Sequence, residues 1–163
     1  MDAGQVVGLL RAIERAGLSV WIGGGWGIDA LLGEQTRPHR DLDLMHVSDE
    51  EPGLTALLAA LGYGETVDWR PVRFVMAHPD GLEIDLHPLV FKEDGSAEQS
   101  SLEPGKPFRY PASCFTTGAI AGVAVPCLSA EQQVHFHQGY EPSERDLHDM
   151  ARLREAFGVT THF

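Results

Sequence analysis

The tightest constraint on this chain is strict alternation in two short segments, 41-DLDLMHV-47 and 83-EIDLHP-88. A period of two marks a β-strand with one buried face. In the first segment Leu42 and Leu44 take one face, and Asp41 and Asp43 the other. In the second, Ile84 and Leu86 oppose Glu83, Asp85 and His87. Each strand must bury its aliphatic side and leave its carboxylates together on the far side. Two carboxylates about 4 Å apart repel by roughly 1 kcal/mol in water and about 4 kcal/mol at a partly buried site. A neighbouring Arg37 or Arg40, solvent, or a bound divalent cation has to offset that repulsion. Mg2+ takes one or two carboxylates together with phosphate oxygens. Three carboxylates converging on one sheet face fit metal-assisted phosphoryl or nucleotidyl transfer. Bland readings stay open beside this one: Glu83 as an edge-strand charge, and His87 as the turn residue before Pro88.

A glycine run, Gly23-Gly24-Gly25, lies just upstream, between a short buried strand around Val20–Ile22 and a brief helix over 26–32 that Gly33 ends. It is neither a P-loop nor a dinucleotide fingerprint, because the required spacings are missing. It does let backbone N–H groups approach phosphate oxygens at a helix N-terminus. Trp26 is expected to pack its helix against the sheet.

Around these motifs, apolar spacing predicts a helix over 5–16 with Val6, Leu9, Leu10 and Ile13 on one face. Ser48 is expected to cap a helix to about Leu61, with Glu51 in the capping box. Residues 72–78 and 82–91 read as a hairpin about Pro79-Asp80-Gly81. Residues 92–113 read mostly as loop, and 118–127 as a second hairpin around Gly122. Ser129 and Ser143 begin two last helices, the second ending near Phe157-Gly158. The pattern predicts an α/β (α+β) fold, a mixed twisted sheet flanked by helices with a helical C-terminal part. Residues 1–112 form the expected core, and 113–163 a C-terminal hairpin and helices packed on it as one unit.

The 163 residues suffice for one domain, and 43% apolar with 22% charged residues is ordinary for a globular chain. The formal net charge of −12 comes without any basic stripe, which argues against a nucleic-acid partner and favours a cationic one. No run approaches the ~20 apolar residues of a membrane span. The two cysteines, Cys114 and Cys127, have no metal-ligand spacing. A cytoplasmic protein with free thiols is expected, and a homodimer is left open.

The order GGW…RDLDL…EIDLHP resembles the DNA polymerase β-like nucleotidyltransferase superfamily. More closely, the chain resembles the small antibiotic nucleotidyltransferases, above all the short lincosamide nucleotidyltransferases. The matching stretches are 21-WIGGGWGIDALLGEQTRPHRDLDL-44, 69-WRPVRF-74, 84-IDLHPLVFKEDGS-96 and 125-VPCLSAEQQVHFHQGYEPSERDLHDM-150. The aminoglycoside 2''-adenylyltransferases are similar in the GGW and DLDL region. One departure is Gly23, where the lincosamide enzymes carry an acidic residue. The resemblance implies a polymerase β-like fold with Mg2+ and ATP, or another nucleoside triphosphate, as cofactor and co-substrate. It also implies transfer of a nucleoside monophosphate to a hydroxyl of a small cationic antibiotic, with release of pyrophosphate. Asp41 and Asp43 match the two metal-ligating aspartates, and Asp85 the third carboxylate, as ligand or as general base. Gly24 and Gly25 match the turn that holds the triphosphate. Arg40 is either a phosphate contact or a solvated side chain. Glu83, His87, His137 and Tyr140 are candidates on the substrate side, although His137 and Tyr140 equally suit a turn between helices. The alternatives are an aminoglycoside acceptor, a protein or tRNA acceptor, and a nucleotide binder without turnover.

Overall fold

The structure is a computed structural model describing residues 1–163. Helix α1 (Ala3–Arg15) is closed by a capping box in which Asp2 and Gln5 exchange hydrogen bonds at 2.8 Å. Strand β1 (Val20–Ile22) feeds α2 (Gly24–Leu32), which Gly33 ends in the left-handed conformation. β2 (Asp41–Val47), α3 (Glu51–Ala60), β3 (Gly64–Trp69), β4 (Arg73–Ala77) and β5 (Glu83–Phe91) follow. Short strands β6 (Ala97–Gln99) and β7 (Phe108–Tyr110) precede the hairpin of β8 (Phe115–Ile120) and β9 (Val123–Leu128). Helices α4 (Ala130–Phe136) and α5 (Glu144–Phe157) complete the chain.

The main sheet runs β3-β4-β5-β2-β1-β9-β8, with β6 joined to the end of β5 and β7 to β6. It is mixed: β2 pairs with β5, and β1 with β9, in parallel, while β1 and β2 are antiparallel. The expected mixed α/β fold is the observed one. Leu42, Leu44, Ile84 and Leu86 are fully buried in the largest apolar cluster, together with Val6 and Ile13 of α1 and Leu54 and Leu58 of α3. Burying such side chains stabilises the fold by about 1.5–3 kcal/mol each. Trp26 is buried in the same cluster, so it is a packing residue. No helix is long and apolar enough to cross a membrane.

One local expectation needs correction, and two short stretches carry strands that the sequence did not show. Ser48 begins a short 3-10 turn, and α3 starts at Glu51 without a side-chain cap. The Glu51 carboxylate is taken by Arg70, whose Nε donates to it at 2.6 Å, so it cannot reach back to close a box. Residues 64–69 form an edge strand, β3, that composition did not suggest. The segment 92–113 is mostly loop, as expected, but the short strands β6 and β7 lie in it and their pairing buries Gln99 and Tyr110.

Helix α2 lies against β8 with backbone nearly touching backbone. A methyl at Gly118 would overlap the carbonyl of Ala30. Gly118→Ala is therefore expected to lower stability by about 1–3 kcal/mol through overpacking. Urea unfolding measures this, and a loss below about 0.5 kcal/mol, the range of an inert surface change, would contradict the contact.

Candidate functional site

The parallel pair β2–β5 is in register, with Asp41 opposite Glu83, Asp43 opposite Asp85 and Met45 opposite His87. Because side chains alternate, all of these project from the sheet face opposite the aliphatic core. Asp43, Asp85 and His87 each offer an atom to a group lying within 4.8 Å. Asp41 and Glu83, one step nearer the start of each strand, are exposed and stand outside that group.

Asp85 is the most constrained of the three. Arg73, next to it on β4, donates to its Oδ2 at 2.5 Å and lies over the ring of Trp69. Its Oδ1 is buried without a hydrogen-bond partner. Burial pushes the Asp85 carboxyl above the ordinary carboxylate value, and the charge of Asp43 adds to this, while His87 and Arg73 oppose it. The His87 Nε2 is 3.3 Å from Asp43 Oδ1 and 3.8 Å from Asp85 Oδ1. Behind it, Gln99 Nε2 is 3.0 Å from His87 Nδ1, and the buried Tyr110 hydroxyl donates to Gln99 Oε1 at 2.6 Å. Burial holds the Tyr110 hydroxyl protonated far above its ordinary range.

The glycine turn meets this cluster directly. The Gly23 amide donates to the Asp43 carbonyl at 3.0 Å, and α2 begins at Gly24, two residues earlier than its apolar pattern predicts. Gly24 has φ +55, and any side chain there would overlap Asp43 Oδ2. That oxygen therefore faces the helix N-terminus, where backbone N–H groups lack helical partners. Gly25 is covered by Arg37 and His39.

Those two residues belong to a loop that is pinned at several points. Arg37 makes a two-pronged contact with buried Asp149 of α5, Nε to Oδ1 at 2.9 Å and a terminal nitrogen to Oδ2 at 2.5 Å. The hydrogen bond that Arg37 donates to Asp149 raises the Arg37 pKa. His39 is paired with buried Asp29, which also accepts from the Thr36 hydroxyl at 2.7 Å. Asp149 thus meets Arg37, and not the helix neighbours Arg145 and Arg152 that its spacing suggests; Arg152 pairs with Glu34 and Glu155. Arg37 likewise serves Asp149 and not the strand aspartates.

A cavity of 590 Å3 opens beside the cluster. Gly24, Asp43, Arg73, His87 and His137 line it, and Met45, Phe108, Leu128 and Phe136 form apolar walls. This is the size of a small-molecule site. His137 Nδ1 donates to the Gln133 carbonyl at 2.6 Å. Arg40 is exposed, and neither it nor Tyr140 lines the cavity; Tyr140 packs on Phe163 with ring centres 5.7 Å apart. The neighbours that local sequence reasoning missed are Arg73, Gln99 and Tyr110. Arg73 sits in 69-WRPVRF-74, but nothing in that stretch says that β4 will lie beside Asp85.

Across known families, residues 5–153 match the aminoglycoside-2''-adenylyltransferase family. The chain belongs to this family. It is a nucleotidyltransferase, as the resemblance implied. It is 32% identical over 146 residues to a lincosamide resistance protein of Staphylococcus haemolyticus, covering 90% of each chain. It is 43% identical over 136 residues to a 2''-aminoglycoside nucleotidyltransferase of Klebsiella pneumoniae, covering 80% of this chain and 71% of that one. The lincomycin-bound crystal structure of the lincosamide antibiotic adenylyltransferase LnuA matches with a TM-score of 0.86 at 30% identity, over 94% of this chain and 97% of that one. The crystal structure of ANT(2")-Ia with adenylyl-2"-tobramycin shares the fold, with a TM-score of 0.74 at 22% identity over 96% of this chain and 89% of that one.

The Arg37–Asp149 pair ties the glycine turn to the C-terminal helix. Removing one partner of a buried pair costs about 3–5 kcal/mol. Arg37→Ala is expected near the low end, at about 3 kcal/mol, because the Arg37 side chain is 19% exposed. Replacing both residues, Arg37→Met with Asp149→Leu, should recover most of the loss in urea unfolding. A double variant no better than Arg37→Ala would show that the charge left unpaired is not the cause.

Proposed function

We propose that this enzyme transfers AMP from ATP to a hydroxyl of a lincosamide, with Mg2+ and with release of pyrophosphate. The observation that carries this reading is the likeness to a lincosamide resistance protein over 90% of both chains, with the cavity lying against Asp43. The chemistry of the cavity supports it. Its carboxylates, Asp43 and Glu103, are matched by Arg73 and Lys106, and Glu103 is paired with Lys106 at 2.7 Å. The net charge of −12 is therefore not concentrated where the acceptor would sit. An acceptor with one amine and apolar substituents suits these walls better than a polycation does.

The carboxylate oxygens of Asp43 and Asp85 fit a hard cation, and the buried Oδ1 of Asp85 has no hydrogen-bond partner. Asp41, exposed at the head of the same strand, would complete the ligand set from the solvent side. When bound, such a cation polarises the phosphates and offsets the charge of the leaving pyrophosphate. The backbone N–H groups of Gly24 and Gly25 at the start of α2 would hold phosphate oxygens. Arg40 would reach the triphosphate from the loop before Asp41. Asp85 would take the proton of the acceptor hydroxyl as the new P–O bond forms and pyrophosphate leaves. His87 and His137 line the cavity proposed for the acceptor, while Glu83 and Tyr140 are exposed and lie outside its lining. In this reading residues 1–112 hold the nucleotide and form most of the acceptor wall, and 113–163 complete that wall through Leu128, Phe136 and His137 as part of the same unit.

An aminoglycoside acceptor is the second reading, favoured by the 43% identity to a 2''-aminoglycoside nucleotidyltransferase. Incubation with ATP, Mg2+ and either lincomycin or tobramycin, followed by mass spectrometry, separates the two. A gain of one AMP on lincomycin is expected. A gain on tobramycin alone would move the assignment to the second reading, and no adduct on either would sink both. Asp43→Asn should remove several kcal/mol of transition-state stabilisation, about a thousandfold in turnover. Near-normal turnover by a folded Asp43→Asn protein would refute its role at the metal.

A further inference from the structure

Behind the site, an unbroken chain of hydrogen bonds ends on His87, and the direction of each bond is determined. The Val72 carbonyl oxygen lies 2.8 Å from Gln99 Nε2 and has no hydrogen to give. The atom of Gln99 that faces it must be the amide nitrogen. The other amide atom, Oε1, then accepts from the Tyr110 hydroxyl at 2.6 Å. Gln99 has a second N–H to place, and His87 Nδ1 lies 3.0 Å from its nitrogen. A nitrogen that accepts this hydrogen cannot carry one of its own. The neutral imidazole therefore bears its hydrogen on Nε2, the atom aimed at Asp43 Oδ1 at 3.3 Å.

The same three groups, Asp43, Asp85 and His87, are spaced as a three-ligand metal site would be. The hydrogen on Nε2 separates the two interpretations, because a nitrogen that points a hydrogen at the cluster has no free lone pair to offer a cation there. We infer that the Tyr110–Gln99 relay locks His87 in its Nε2–H form and makes it a positioning residue that donates to Asp43, not a nitrogen ligand of the metal. This rests on the reading of Asp43 as a metal-binding carboxylate. The two oxygens of Asp43 are then divided: Oδ1 accepts from His87, and Oδ2 faces the Gly24 turn. A carboxylate held at one oxygen presents the other in a single direction, the service that outer-shell partners give to ligands at metal sites.

The test is long-range 15N–1H correlation of the imidazoles in the labelled, nucleotide-free full-length protein, with the His87 signals identified by their loss in His87→Gln. His87 should show Nε2 protonated and Nδ1 bare, and Mg2+ alone should leave that pattern in place. Gln99→Glu replaces the donor facing Nδ1 with an acceptor and should move the hydrogen to Nδ1. Should Gln99→Glu not fold, Gln99→Leu removes the donor and should give a mixture of tautomers. An Nδ1–H form in the unaltered protein, loss of the Nε2 hydrogen on adding Mg2+, or a tautomer indifferent to both Gln99 variants would overturn the inference. With a non-hydrolysable ATP analogue present, Gln99→Leu should weaken Mg2+ binding about tenfold by calorimetry. Unchanged Mg2+ affinity would reduce the relay to a structural contact. The tautomer readout needs neither nucleotide nor turnover, so a failure of the functional reading appears separately, as an absent AMP adduct beside an intact relay.

Discussion

The parallel pairing of β2 with β5 is the contact on which the rest of the molecule depends. Its register sets Asp43 beside Asp85 on one face and Leu42, Leu44, Ile84 and Leu86 together on the other. A slip of one residue in either strand would turn its two fully buried aliphatic side chains toward the site and its carboxylates into the core. The hydrophobic effect thus enforces the geometry of the polar face, although no apolar atom takes part in its chemistry. The two adjacent carboxylates remain an electrostatic burden, which the Arg73 guanidinium and the His87 ring reduce.

A second set of interactions holds the turn that meets this face. Gly23 bonds to the backbone of β2, and the loop after α2 is clamped through Asp29–His39 and Arg37–Asp149. The C-terminal helices do more than cover the sheet. α5 supplies Asp149 to that clamp, and α4 supplies Phe136 to the cavity wall. β9, just before α4, lies beside β1 in the main sheet, so the last third of the chain shares the core of the first.

Features with a local physical signature were legible in the sequence. The hairpins about Gly81 and Gly122, the caps at Ser129 and Ser143, the glycine closing α2 and the two alternating strands all depend on residues a few positions apart. What went unread had no such signature. β6 and β7 have three residues each, too few for a period to emerge, and they lie among Gly, Pro and Ser that read as loop. Glu51 had the spacing of a capping residue but was claimed by Arg70, 19 positions away. The acidity of the whole chain suggested a cationic acceptor, yet the charges around the cavity are nearly balanced.

By itself, the sequence determined that carboxylates would share a sheet face near a glycine turn. It also pointed to the nucleotidyltransferase family, because strand alternation and turn conformation are properties of the local chain. Only the tertiary structure decided which carboxylates meet. Asp43 and Asp85 gather with His87 while Asp41 stands apart in solvent, since strand order and register, and not spacing, set those distances. It also brought Arg73, Gln99 and Tyr110 to the site, from strands whose partners are chosen by how the apolar faces pack. Long-range contacts of this kind leave no period in the chain.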